Sequence, residues 1–289
     1  FNNYYYFYER LVVLAFSLIP TLILVGFVLY SDRRNKEPVR NIVICLLSGI
    51  LSVALSGYLE QLVMPYIGNN TILTYIFAFI EEISKMAIFF LFVFDNKYYD
   101  DMYDGLVYMM LIALSFAGLE NVMYAFSEST IQESISLSIM RDITTIPLHV
   151  ICGIIIGYFL SLSSFSKNKE RKYINILLAL LLSGALHGTF NSLMNLLGSL
   201  NINYDSSVQV ILFEALPLIL IMVALFVVAV KFIKKNIKLN EVYMENKEYD
   251  TKHKYLMTYD EYMNSNDRRR RVDTYNKISI KEKITKEGN

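Results

Sequence analysis

Cysteine is almost missing: the 289-residue chain has two, Cys45 and Cys152, with no CxxC spacing. A disulfide framework is therefore excluded, and both thiols, each inside an apolar run, read as core packing groups. Net charge is missing as well, because 27 Lys and Arg balance 27 Asp and Glu. The information lies instead in where the charges stand. No cleavable leader is visible: the first apolar block lacks a basic start and a small-residue cleavage site, and more blocks follow it. The opening Phe1, in place of Met, is what a trimmed N-terminus would leave. Two stretches, "PYIGNNT" and "GSLNINYDSS", hold no Lys or Arg at all.

What is present is apolar and blocked. Hydrophobic residues make up 54% of the chain, and they come in runs of about twenty, the length that crosses a hydrocarbon core. Seven such runs lie at about 11–30, 42–64, 72–94, 105–126, 143–164, 174–197 and 208–233. Only helices and closed barrels satisfy their backbone in lipid, so the expected fold is all-α, a polytopic membrane bundle of about seven spans. The bacterial cytoplasmic membrane is the expected location. "SDRRNKEPVR" after the first run, "SKNKERK" after the fifth and "KFIKKNIK" after the last are basic. Short basic loops stay cytoplasmic, which places the N-terminus outside and the C-terminus inside. Residues 1–235 form the expected membrane domain. Residues 236–289, which include the run "NDRRRRVD" and His253, form a charged cytoplasmic tail.

Ionisable groups inside a span are costly, about 2.5–3.5 kcal/mol each on insertion scales, and normally face the bundle interior. Span three carries Glu81, Glu82 and Lys85; span four carries Glu120 and Asn121; span five carries His149; span six carries His187 and Asn191. Residues four apart share a helix face, which stacks Glu81 on Lys85, Phe116 on Glu120 and His187 on Asn191. The face of His149 continues as Gly153 and Gly157, and His187 is flanked by Gly184 and Gly188. Such small-residue stripes allow helices to approach closely, so the polar groups are expected on packing faces, gathered in the outer half of the membrane. Lys85 also reads as a structural counter-charge, and Asn121 as an interhelical hydrogen bonder.

Histidine with carboxylate is the equipment for activating water and polarising a carbonyl. HExxH, GxSxG and GxGD patterns are all lacking, so a membrane peptidase built from these residues would use glutamate. "EEISK", "FAGLEN" and "HGTFN" match EExxK, FAxxEN and HxxxN patterns, with "DRRNKEP" and "DGLVY" as companions. Together, over about residues 30–195, they resemble the PrsW family, bacterial membrane proteases related to type II CAAX prenyl proteases and bacteriocin-immunity proteins. The resemblance implies Glu81 as the base, supported by Glu82 and Lys85, with His187 and Asn191 holding the oxyanion. Glu120 stands where the wider group has histidine, which leaves His149 to supply that imidazole. It also implies a single-span membrane anti-sigma factor as substrate, cut on its extracytoplasmic side to release a sigma factor after further proteolysis.

Two other classes remain open on the residues alone. A proton-coupled transporter would also keep Glu and His in mid-membrane, although no inverted repeat or pair of broken spans is visible. A non-catalytic binding or immunity protein would tolerate loss of Glu81. No cofactor is expected. Zinc is the alternative, with Glu120, His149 and His187 as ligands. No nucleic-acid partner is expected; the lipid bilayer is.

Overall fold

The computed structural model of the chain describes residues 2–32, 36–67, 71–166, 168–199 and 208–254. Among these there is no strand. The order is α1 (Asn2–Ser31), α2 (Val39–Val63), a 3-10 turn (Met64–Tyr66), α3 (Thr71–Phe92), α4 (Met102–Ala125), α5 (Ile131–Ile143), α6 (Thr145–Ser164), α7 (Lys169–Ser199) and α8 (Val208–Lys254). The chain divides into two units, Phe1–Ile237 and Lys238–Asn289. In the second, the described residues 238–254 are helical. The arginine run at 268–271 lies outside the described residues.

Five segments are long and apolar enough to cross a membrane: Phe7–Ser31, Val39–Tyr66, Met102–Ala125, Ile131–Ser164 and Lys169–Leu196. The protein is thus an all-helical, multi-pass membrane protein. The other two expected spans fall on α3 and α8. Helix α3 has the length, at 22 residues, but carries the charges of Glu81, Glu82 and Lys85. Helix α5 was not expected, and it precedes α6 with one residue between them. It begins with a capping box, in which Thr130 Oγ1 accepts from the Glu133 N–H and Glu133 accepts from the Thr130 N–H. Its last turn carries Arg141, a cation that suits the negative end of the helix dipole.

Helix α4 is the axis of the bundle. It packs on α1, α2, α5 and α6, while α7 lies against α3 and α6. Its residues Leu106 to Met109 and Leu111 to Leu114 are fully buried, as expected for a helix apolar on every side. Close packing against α6 comes from the small residues foreseen there. A side chain on Gly157 would strike the backbone of Gly105, and one on Gly153 would strike Met109 and Ala113. Gly184 and Gly188 of α7 receive the rings of Phe79 and Tyr75 from α3. The outer faces of α1 and α2 expose Ile19, Ile23, Phe27, Leu47 and Leu51. A soluble monomer rarely shows such contiguous apolar surface, and lipid covers it here.

Asp32 and Glu37 of "DRRNKEP" meet the motif "DGLVY" at one end of the bundle. Asp101 caps α4 by accepting from the Tyr103 and Asp104 N–H groups, and Asp104 Oδ2 accepts in return from the Asp100 and Asp101 N–H groups. The Tyr108 hydroxyl donates to Glu37, and Asn41 donates to that same hydroxyl. Buried among these carboxylates, Asp32 has its pKa pushed up to about 7, by desolvation first and then by the charge of Glu37. Glu37 is raised as well, chiefly by burial. This end lies opposite the site described next.

Candidate active site

Four carboxylates, two histidines, an arginine and a lysine from six helices gather at the other end of the bundle. Helix α3 contributes most, because residues 81, 82 and 85 project from neighbouring positions on its buried side. Glu82 and Lys85 are completely buried and pair at 2.8 Å. The expected stacking of Lys85 on Glu81 is therefore replaced by an i,i+3 pair with Glu82. Lys85 Nζ also donates to His149 Nδ1 at 3.0 Å and lies 4.1 Å from the centre of the Phe116 ring.

Since an ammonium only donates, His149 Nδ1 accepts and Nε2 carries the proton. That N–H donates to Glu120 Oε2 at 3.0 Å. The same Oε2 accepts from an Arg141 guanidinium nitrogen at 2.8 Å. On the far side of Lys85, Glu82 Oε1 accepts from His187 Nδ1 at 2.7 Å. His187 then presents Nε2 to Glu81 Oε2, 3.7 Å away. The outcome is one continuous chain of side chains: Arg141, Glu120, His149, Lys85, Glu82, His187 and Glu81. The two imidazoles stand edge to face, 4.9 Å between centres.

Glu81 and Glu82, adjacent in sequence and about 100° apart on a helix, face opposite nitrogens of one imidazole, and only Glu82 is within hydrogen-bond distance. Their surroundings differ. Glu82 is paired with Lys85, and Glu120 with Arg141. Glu81 is 8% exposed, and its Oε2 makes no hydrogen bond among the described residues. It lines a cavity of about 670 Å³ shared with Glu120, Arg141, His149, His187 and Asn191. Phe116, Phe190 and Met140 supply apolar wall.

The structure thus brings Glu81, Glu82, Lys85, Glu120, His149 and His187 together, with Asn191 on the cavity wall. Asn121 stands apart. Its amide donates to the Ser17 carbonyl and to Asp142, tying α4 to α1 and α5. Two residues escaped the reading of the sequence. Arg141 belongs to α5, whose T-x-x-E capping box was its legible signal. Glu60 of α2 also lines the cavity; an ionisable residue inside an apolar run was signal enough.

A metal would find donors here. Glu81, His149 and His187 each offer a ligand atom, all within 4.8 Å of one another. This set contains Glu81, where the sequence reading had Glu120. Two histidines and a glutamate suit a catalytic zinc site with an open position, and Glu82 orients His187 as outer carboxylates orient ligating imidazoles. Glu81 Oε2 and His187 Nε2 face each other free of other bonds, whereas His149 has both nitrogens engaged, by Lys85 and by Glu120. The donor set fits an ion on condition that His149 gives up one of those bonds.

A family model described as "PrsW family intramembrane metalloprotease" matches residues 37–230. The chain is 29% identical over 191 residues to "Protease PrsW" of Clostridioides difficile (strain 630), covering 64% of this chain and 80% of that protein. It is 28% identical over 185 residues to "Protease PrsW" of Oceanobacillus iheyensis, covering 63% and 82%. Against "Protease PrsW" of Bacillus subtilis (strain 168) the figures are 24% over 191 residues, covering 65% and 84%. No solved structure matches the chain.

Proposed function

The chain belongs to the PrsW family of intramembrane metalloproteases, and from that premise we propose that this membrane peptidase cuts a single-span, membrane-anchored anti-sigma factor with water activated by Glu81. The observation that carries the mechanism is the isolation of Glu81: among the described residues it is the buried carboxylate on the cavity that pairs with no lysine or arginine and whose Oε2 accepts no hydrogen bond. A base must be free to take a proton. Glu82 and Glu120 are held by Lys85 and Arg141.

In this mechanism a water in the cavity loses a proton to Glu81 Oε2 as its oxygen adds to the scissile carbonyl carbon. The oxyanion is met by Asn191 Nδ2 and by His187 Nε2. For His187 to donate from Nε2 while Nδ1 donates to Glu82, the ring must be imidazolium, and buried Glu82 is the counter-charge that permits it. Collapse of the tetrahedral intermediate returns the proton from Glu81 to the departing amine. The branch through Lys85, His149, Glu120 and Arg141 holds Glu82 and the cavity wall in register. A second reading rests on the donor set. A divalent metal held by Glu81, His149 and His187 would supply Lewis-acid polarisation of the carbonyl, with His187 then neutral and presenting its Nε2 lone pair.

The chain would sit with seven spans, N-terminus outside and residues 236–289 as a cytoplasmic tail. The support is that Lys36, Arg40, Lys169, Arg171 and Lys172 lie at the end of the bundle opposite the cavity. The site then faces the extracytoplasmic half. The test is co-expression with epitope-tagged single-span anti-sigma factors. Wild type should shorten one of them, while Glu81→Gln and His187→Ala accumulate in the membrane and leave it intact. Cleavage by Glu81→Gln at the wild-type rate would refute its role as base. Activity of purified protein that survives exhaustive chelation supports the first reading; stoichiometric zinc, with activity lost on stripping and regained on addition, establishes the second.

A further inference from the structure

Glu60 is the carboxylate the mechanism leaves unused. It stands on α2, across the cavity from the histidines, and shares the wall with Glu81 and Glu120. Glu120 has Arg141. Glu60 is half-buried and makes no side-chain hydrogen bond or ion pair among the described residues. Lys85, the nearest other cation, is sealed behind the wall and committed to Glu82 and His149. Ser56 and Gly57, one turn or less from Glu60, also line the cavity and leave room beside it.

Of the three carboxylates on the wall, Glu120 has Arg141 and Glu81 faces His187, whereas Glu60 has no counter-charge among the described residues. A ligand that enters with a cation supplies it. The apolar wall of Phe77, Met123 and Met140 suits the aliphatic stem that carries a lysine or arginine head group. Resting on the reading of this cavity as the peptidase site, we infer that Glu60 forms a subsite for a basic side chain of the substrate. The subsite selects segments with Lys or Arg at a fixed distance from the cleaved bond. Glu81, nine-tenths buried, with an Oε2 that makes no hydrogen bond among the described residues and on the wall of the same cavity, sets the register, since the scissile carbonyl must lie against it.

The test uses the full chain in proteoliposomes with a panel of single-span reporter proteins. Their membrane-border residues are varied among Lys, Arg, Gln and Glu, and products are sequenced by mass spectrometry. Wild type should favour reporters with a basic residue at one fixed position over their Gln counterparts by tenfold or more in kcat/KM. Glu60→Gln should collapse that ratio toward one, Glu60→Asp should keep most of it, and Glu60→Lys should favour Glu at the same position. Cleavage without a basic preference, or a preference that survives in Glu60→Gln, overturns the subsite and leaves the peptidase reading standing. A wild-type protein that cleaves none of the panel, nor any co-expressed anti-sigma factor, overturns both.

Discussion

Lys85 illustrates how one side chain serves both stability and function. It is fully buried and touches Glu82, His149 and the Phe116 ring. Removing one partner of a buried ion pair leaves the other charge uncompensated, at a cost of about 3–5 kcal/mol. Lys85→Ala should therefore melt well below wild type in detergent. A double change, Lys85→Met with Glu82→Leu, should recover much of that loss while remaining inactive; a Lys85→Ala protein that melts with wild type would show that the pair contributes nothing. Asp32 predicts a pH effect at the other end of the bundle. Its pKa rises from 3.8 to about 7 on folding, because burial and the charge of Glu37 oppose ionisation, with Asp101 adding to the repulsion. A carboxyl with a raised folded pKa contributes stability that is complete below its unfolded value and is lost as pH rises through the folded one. Thermal stability should thus fall between about pH 4 and pH 7, and Asp32→Asn should flatten that slope. A slope that is unchanged in Asp32→Asn would assign the effect to other groups.

At the scale of elements, α6 is decided by what it packs against. Its Gly157 leaves an ideal Cβ only 2.5 Å from the Gly105 carbonyl oxygen and 2.9 Å from Leu106 Cα, both on the α4 backbone. Backbone cannot step aside as a flexible side chain can, so Gly157→Ala should cost about 1–3 kcal/mol. Gly26→Ala, with nothing within 4 Å of its Cβ, is the control; alanine's better helix propensity should make it neutral or stabilising by up to about 1 kcal/mol. Equal melting temperatures for the two variants would remove the packing argument. The small-residue stripes were legible in the sequence because a period of four marks a helix face. Their partners were not, since any of the neighbouring helices could have filled them. Helix α5 shows the opposite case. It is short and polar enough to pass for a loop between spans, and its capping box, a legible signal, went unread. It matters because it carries Arg141 to Glu120.

For the whole molecule, the unequal placement of basic residues leads to a topology that can be tested. Tyr66, 87% exposed at the cavity end, and Asn168, exposed between α6 and α7, are suitable for single-cysteine labelling. The native thiols of Cys45 and Cys152 are buried and should stay silent. Tyr66→Cys should react with an impermeant maleimide on intact cells, and Asn168→Cys only after permeabilisation. Labelling of Asn168→Cys from outside would invert the protein and move the site to the cytoplasmic half.

The amino-acid sequence alone determined that the chain is a helical membrane protein, because runs of about twenty apolar residues have few other solutions in lipid. It also singled out Glu81, Glu82, Lys85, Glu120, His149 and His187, because each such group is too costly in a span to be incidental. What it could not determine was who pairs with whom. The i,i+4 rule offers Lys85 to Glu81, yet Lys85 takes Glu82 because His149 and His187 arrive from α6 and α7 and fix the geometry from outside α3. Only the tertiary structure decided that Glu81 pairs with no lysine or arginine among the described residues, that Arg141 neutralises Glu120, and that Glu60 shares the cavity. Pairings between helices depend on rotation and depth within the bundle, which local periodicity leaves undetermined.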